Sequence, residues 1–224
     1  MNGVDAVVPP SEATSLPVHD YWTFPMSLPL HFATTVETIP AELPYLSASP
    51  ERLGRWRDRL PPSGLKVGLV WKGNAEHKND ANRSLPGLST MANLWSVPGV
   101  AFVSLQKGPG EDEASSPPTG QPILNLGSDI QDFADTAAIV AQLDLVICID
   151  TSIAHLAGAL GKTCWVLLPA LGTDWRWLKE RVDSPWYPGV MRLFRQTKTR
   201  DWAATIIEVT RALEAWVDDH ANSA

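Results

Sequence analysis

The sequence reads as an α/β protein built on a doubly wound parallel sheet, and three observations carry that reading. Short apolar, β-branched runs recur from residue 66 onwards, and segments with helical spacing alternate with them. The runs show no polar alternation, so their strands are buried on both faces, as happens when helices cover both sides of a parallel sheet. At 224 residues the chain can bury a sizeable core. Its hydrophobic fraction of 44% and charged fraction of 19% are those of a globular protein. A net charge of −7 argues against non-specific nucleic-acid binding, which needs a basic face. The most apolar long stretch is broken by Asp144, Asp150 and His155, so it does not read as a membrane span. No basic region followed by an apolar one opens the chain, so no signal peptide is expected. Cys148 and Cys164 lie inside apolar runs without metal or disulfide spacing and read as buried free thiols, which suits a reducing cytoplasm.

Residues 1–62 differ from the remainder. Prolines recur at 9, 10, 17, 25, 29, 40, 44 and 50 and leave little room for long regular elements. Only Ser49 to Leu60 reads as a helix, with Ser49 as cap, Pro50 in the first turn and Leu53, Trp56 and Leu60 as its apolar stripe. Tyr21 to Tyr45 is too apolar for a disordered tail and is expected to drape over this chain or a partner. From Lys66 the texture becomes alternating strand and helix. KVGLVW (66–71) and VAFVSLQ (100–106) read as strands with a helix from Ser89 to Val97 between them. GPGEDEASSPPTG (108–120) reads as a mobile polar loop. PILNLG (122–127) is a short third strand, and Ile130 to Leu143 an amphipathic helix with Phe133, Ala137, Val140 and Ala141 on its apolar face. LVICI (145–149) and TCWVLLP (163–169) flank a helix at 151–160. VMRLF (190–194) is a sixth strand, and Trp202 to Val217 a closing helix. Tryptophans clustered from Trp165 to Trp186 suggest an aromatic wall near the later strands.

In such sheets ligands bind at the carboxyl ends of the strands. After the first strand come Lys72, Gly73 and Asn74, then His77, Lys78, Asn79, Asn82, Arg83 and Ser84, a basic loop in an acidic chain. After the second come Gln106 and Lys107, and after the fourth Asp150, Thr151 and Ser152, with His155 one turn into the helix that follows. After the fifth comes PALGTDWRW (169–177). Asp, Thr and Ser are good N-caps, so the helix begins within that trio, and its free N–H groups and dipole favour an anion. A single D-T-S turn is usually only a capped strand–helix unit. Four loops converging on one crevice, all with phosphate-compatible donors, point further, to a nucleotide pocket. The chain lacks G-x-G-x-x-G, G-x-x-x-x-G-K-[ST] and G-x-S-x-G, and no His, Asp or Glu cluster has metal spacing. Its acid–base repertoire near the crevice is thin: His77, His155, Asp150 and Asp174.

The combination VGLVWKGN…NRSLP, FVSLQKG, DFADTAAIVAQLDLVICIDTSIAHLAGALGK and WVLLP…DWRW…DSPWYP…MRLFRQ resembles the C-terminal part of heptosyltransferase-like (family 9) glycosyltransferases, of the kind found behind tetratricopeptide repeats. The resemblance covers Leu65 to Trp216, while Tyr21 to Leu60 is similar to the segment that crosses from the preceding domain. It implies the C-terminal half of a GT-B fold, a Rossmann-like nucleotide-sugar-binding domain at 63–224 behind an irregular crossover segment at 1–62. It also implies inverting hexosyl or heptosyl transfer from a nucleotide-diphosphate sugar, with no metal and no cofactor. Carried over residue by residue, Asp150, Thr151, Ser152 and His155 would grip the donor's diphosphate and sugar, and Arg83 would neutralise the leaving phosphate. Lys72 and Asn74 would lie in the loop beneath it, and Gln106, Lys107 and the 129–137 wall with Asp135 would face the nucleotide. Ser152 stands where the family usually has glycine or another small residue, which keeps the amide.

The larger departure is that family members carry a whole N-terminal domain for the acceptor and the base, of which only a vestige precedes Leu65. The resemblance therefore assigns no catalytic residue here, implies donor binding without acceptor transfer unless a separate acceptor domain is supplied, and leaves base, sugar and acceptor (a glycan or a protein) open. The alternative is a non-catalytic nucleotide-binding or scaffold module that docks through its N-terminal segment on a partner, which could be a second copy.

Overall fold

The sheet is built from the apolar runs, whose central strands are buried on both faces. The computed structural model describes residues 5–9, 11 and 17–222; residues 1–4 and 12–16 of the N-terminal segment, Pro10 among its prolines, and the last two residues lie outside the described residues. In chain order the elements are α1 (Leu28–His31), α2 (Pro50–Arg57), β1 (Leu65–Val70), α3 (Asp80–Arg83), β2 (Val100–Ser104), α4 (Glu111–Ser115), β3 (Leu124–Asn125), α5 (Phe133–Val140), β4 (Leu145–Ile149), α6 (Ser152–Ala159), β5 (Cys164–Leu168), β6 (Met191–Arg195) and α7 (Ala203–Ala221). The six strands pair in parallel in the order β3-β2-β1-β4-β5-β6. The chain thus winds outward from β1 to β3, returns to the middle, and winds outward again from β4 to β6. Every residue of β4 and β5 is buried, as their unbroken apolar runs require.

Two apolar layers sandwich the sheet. On one face α2, α5 and α6 bring Trp56, Ala138, Ile139 and Ala157 against Val146 and Val166. On the other, α7 and the Leu88–Ser96 turns bring Leu88, Met91, Ile206 and Val209 against Leu69, Ile147 and Leu167. Cys148 and Cys164 are buried free thiols with Sγ atoms 3.8 Å apart.

Several local expectations change in the folded chain. The 89–97 helix is a run of 3-10 turns, Leu88–Ser96. The third strand shrinks to Leu124–Asn125, and Gly127 explains how closely the chain then passes the β2 loop. A Cβ on Gly127 would lie 1.8 Å from the Gln106 carbonyl oxygen, so the β2 and β3 loops touch backbone to backbone. The 108–120 loop is fastened rather than loose. It contains α4, whose Glu113 accepts from the Leu88 amide at 2.6 Å and pairs with Lys72 at 3.2 Å. Phe133 leaves the apolar face assigned to it and is exposed. The tryptophans do not form one wall. Trp165 packs in the α7 layer, Trp177 is buried in the α6 layer, and Trp175 stays exposed.

The N-terminal segment joins the core from Leu43 on. Leu43, Leu46 and Leu53 pack on the α6 layer, and the amides of Tyr45 and Leu46 both donate to the Ala159 carbonyl. Ser49 caps α2, accepting from the Arg52 amide at 3.2 Å. α2 is bolted down through Asp135, whose carboxylate is wholly buried. It accepts from Trp56 Nε1 at 3.1 Å, Arg52 Nη1 at 2.7 Å and the Gln131 amide at 3.1 Å. Burial alone would raise the Asp135 pKa, but Trp56, Gln131 and Arg52 outweigh it and hold the carboxyl below its ordinary value.

A folded-state pKa below the unfolded one gives stability that is present above the ordinary carboxylate value and lost as pH falls through the folded one. Asp135→Asn should therefore cost about 2 kcal/mol at neutral pH in urea unfolding. The gap to wild type should close as the pH falls below about 4.

Candidate functional site

β1 and β4 are neighbours in the sheet, yet their chains leave in different directions. The chain goes from β1 towards β2 on one side and from β4 towards β5 on the other, so the loops part and leave a crevice at the strands' carboxyl ends. Three loops and the start of α6 meet there. Along one flank a cavity of about 550 Å³ is lined by Lys72, Asn74 and Arg83 from the β1 loop and Gln106 and Lys107 from the β2 loop. Thr151 and Ser152 close it. Along the other flank a cavity of about 450 Å³ shares Arg83, Thr151 and Ser152 and adds Asp150 and His155. Nine of the ten residues to which the resemblance gives a donor or nucleotide role thus border one crevice; Asp135 does not.

The start of α6 is the most polar part of the crevice. Thr151 is its N-cap, in extended conformation, but its side chain caps nothing. Thr151 Oγ1 is buried and has no hydrogen-bond partner. The first-turn N–H groups of a helix lack acceptors within it, so here donors and an unpaired hydroxyl meet at one point. Arg83 crosses the crevice: Nη1 donates to the Asp150 carbonyl at 3.0 Å and Nε to Asp80 Oδ1 at 3.3 Å. Its side chain is only 14% exposed, so the positive charge is held in place rather than waving in solvent. Tyr187 can lie this close to α6 because Gly158 offers no Cβ; one would meet its ring at 2.3 Å.

Other residues take roles different from those assigned by sequence. Gln106 is buried and fully used as a clamp. Its Oε1 accepts from the Trp71 and Lys72 amides at 3.0 and 2.9 Å, and its Nε2 donates to the Lys72 and Pro109 carbonyls at 3.1 and 2.8 Å. It fixes the β1 loop to the β2 loop. The Lys72 ammonium is paired with Glu113, and the Lys107 ammonium donates to the Ser128 carbonyl at 3.3 Å, so neither is held as firmly over the crevice as Arg83. Asn74 accepts from the Glu76 amide at 3.0 Å and shapes its own turn. Asp135 faces away from both cavities and serves as the anchor for α2. Its neighbours Asp132, Phe133 and Thr136 line the wall instead.

His155 stacks on Trp177 with ring centroids 5.2 Å apart, and its Nδ1 lies 3.0 Å from the Tyr187 hydroxyl. Burial pushes its pKa down, against the pull of Asp150, so the imidazole is neutral at neutral pH. Phe133, Arg176 and Tyr187 are given no ligand role by the sequence, yet the first two border the crevice and the third holds His155. Phe133, 61% exposed, opens the apolar mouth of the first cavity, although it reads as a core position. Arg176 borders the second cavity. Tyr187, 32 residues from its histidine partner, left no local signal. Among the described residues no group of three or more His, Cys, Asp or Glu could hold a metal ion, and no helix is long and apolar enough to cross a membrane.

Comparison with known proteins supports the architecture. No family model matches the chain. It is 32% identical over 210 residues to protein FlbA of Caulobacter vibrioides, a match spanning 87% of this chain and 33% of FlbA. Among solved structures, the ADP-heptose LPS heptosyltransferase II of E. coli matches with a TM-score of 0.54 and 16% identity. That match covers 80% of this chain and 54% of the enzyme. A family 9 glycosyl transferase of Veillonella parvula matches with a TM-score of 0.50 and 15% identity, over 80% of this chain and 52% of the other. The chain therefore spans about a third of the length of its curated relative and about half of these structures. Its six-stranded parallel sheet has the fold of GT-B glycosyltransferases.

Because Thr151 Oγ1 has no protein partner, removing it should not weaken the fold. Thr151→Val, extended like the native residue, should unfold in urea within about 0.5 kcal/mol of wild type or later. A clearly earlier transition would show that the hydroxyl serves the fold.

Proposed function

We propose that this chain is the donor-binding half of a glycosyltransferase, holding a nucleotide-diphosphate sugar at the β1–β4 switch point. The observation that carries the reading is the pairing of an unsatisfied, buried Thr151 hydroxyl and the α6 amides with a fixed Arg83 guanidinium across the crevice. A diphosphate satisfies all of them at once: it accepts from the hydroxyl and the amides, meets the helix dipole, and pairs with the cation. The base would enter the first cavity, beside the exposed Phe133 ring and Ile130. The sugar would point into the second, where neutral His155 offers a hydrogen bond rather than a charge.

In the transfer, an acceptor oxygen attacks the anomeric carbon with inversion as the bond to the diphosphate oxygen breaks. The acceptor's proton passes to a base that this chain is not assigned. Charge grows on the departing diphosphate, and Arg83 and the α6 amides stabilise it there without needing a metal. Two buried free thiols suit a cytoplasmic setting. A second reading, a binding module docked through its N-terminal segment, is favoured by the exposed Tyr21, Trp22, Met26, Leu30 and Phe32 side chains. It differs in predicting binding without turnover.

A thermal-shift titration with ADP, UDP and GDP, with magnesium and with chelator, tests the site. One diphosphate at a hundred times its dissociation constant should stabilise the fold by about 2.7 kcal/mol, equally in both buffers. Arg83→Ala should lose affinity about tenfold or more, which is about 1.4 kcal/mol. No shift with any diphosphate, or unchanged affinity in the variant, would overturn the reading.

A further inference from the structure

A third hollow, of about 570 Å³, opens where the N-terminal segment crosses the chain between β5 and β6. Pro25, Met26 and Pro29 form one wall, and Trp175, Trp186 and Tyr187 the other. It adjoins the crevice. His155 and Arg176 line both it and the second cavity, just as Arg83, Thr151 and Ser152 line both the second and the first. The three hollows therefore follow one another around the start of α6.

The chemistry of this slot is mixed in a particular way. Trp175 and Trp186 meet edge to face, with centroids 6.0 Å apart at 79°, and Trp175 is 58% exposed. Two indoles at right angles offer one flat π surface and one edge. Beside them sit polar groups: the Tyr187 hydroxyl with His155, and Arg176, which spends one nitrogen on Asp174 at 2.8 Å and has further N–H donors to give. A wholly apolar guest would strip water from those groups without replacing it. A pyranose ring suits both halves, because its C–H face carries slight positive charge against the π cloud while its hydroxyls bond at the rim.

We propose that this aromatic slot is a saccharide subsite that holds a pyranose ring of the acceptor beside the donor sugar. The acceptor role rests on the donor reading above, since position along the run decides it. Base and diphosphate fill the first cavity and the α6 turn, and the donor sugar fills the second. The slot comes next. Part of the acceptor site is then built by this chain itself, by the segment around Pro25 to Pro29 closing over the tryptophans.

The test is an NMR titration of the ¹⁵N-labelled full chain, following the tryptophan indole signals, with methyl glycosides of glucose, galactose and N-acetylglucosamine as probes. Single Trp175→Phe and Trp186→Phe variants assign the two indoles, and the exposure of Trp175 keeps its replacement compatible with folding. The expected result is a saturable millimolar shift of both indoles with at least one glycoside. Trp165, buried in the opposite layer, should stay unmoved, and Trp175→Ala should abolish the response of Trp186. No saturable shift with any glycoside would overturn the slot. So would a shift of these indoles by nucleotide alone, which would make the slot a base site. The Thr151 and Ser152 amides, followed during an ADP, UDP and GDP titration, report the donor reading separately. Silent amides with responding indoles would overturn the donor and acceptor roles and leave the sugar site, whereas responding amides with silent indoles would overturn the slot alone.

Discussion

Parallel pairing of β1 with β4 is the constraint from which the rest of the molecule follows. Once the fourth strand returns to lie beside the first, the connections that leave these two strands must run in opposite directions, and a gap opens between them that no side chain of the sheet can fill. The surrounding sequence manages that gap. Gln106 ties two of the loops together through four backbone groups, Arg83 spans the gap to the Asp150 carbonyl, and Gly158 lets the Tyr187 ring lie against α6, where it meets His155. The polar groups left over, chief among them Thr151 Oγ1, are those on which the proposed donor site rests.

The fold was legible because its signals are local. The LVICI run matches β4 residue for residue, and the Ser49-Pro50 start of α2 follows from capping chemistry that two adjacent residues specify. Where contacts between distant parts of the chain decide, sequence says less. The 88–96 segment has helical spacing yet settles into 3-10 turns under α7. The acidic 111–115 stretch looks like loop until Glu113 finds the Leu88 amide, 25 residues away.

The site was legible at the level of loops and less so at the level of roles. Polar residues read off the strand ends gather at one crevice, because the carboxyl ends of parallel strands must share an edge. Which of them stay available depends on partners far along the chain. Gln106 is consumed by backbone groups 34 and 35 residues back, and Asp135 by Arg52 and Trp56, 83 and 79 residues back. No spacing rule reveals such pairings. Phe133 shows the converse: the Asp132 cap sets it at the mouth of the crevice, where helical periodicity alone would have buried it.

The two cysteines have a practical side. Their sulfurs lie 3.8 Å apart inside β4 and β5, wholly shielded, and their closeness together with burial pushes the Cys148 thiol well above its ordinary pKa. The attacking species in thiol chemistry is the thiolate, so a labelling reagent must wait until the centre of the sheet opens. That opening belongs to the most cooperative part of the fold rather than to its fraying loops. The pair is thus a native clock for whole-sheet unfolding, readable with a thiol reagent and no engineered cysteine.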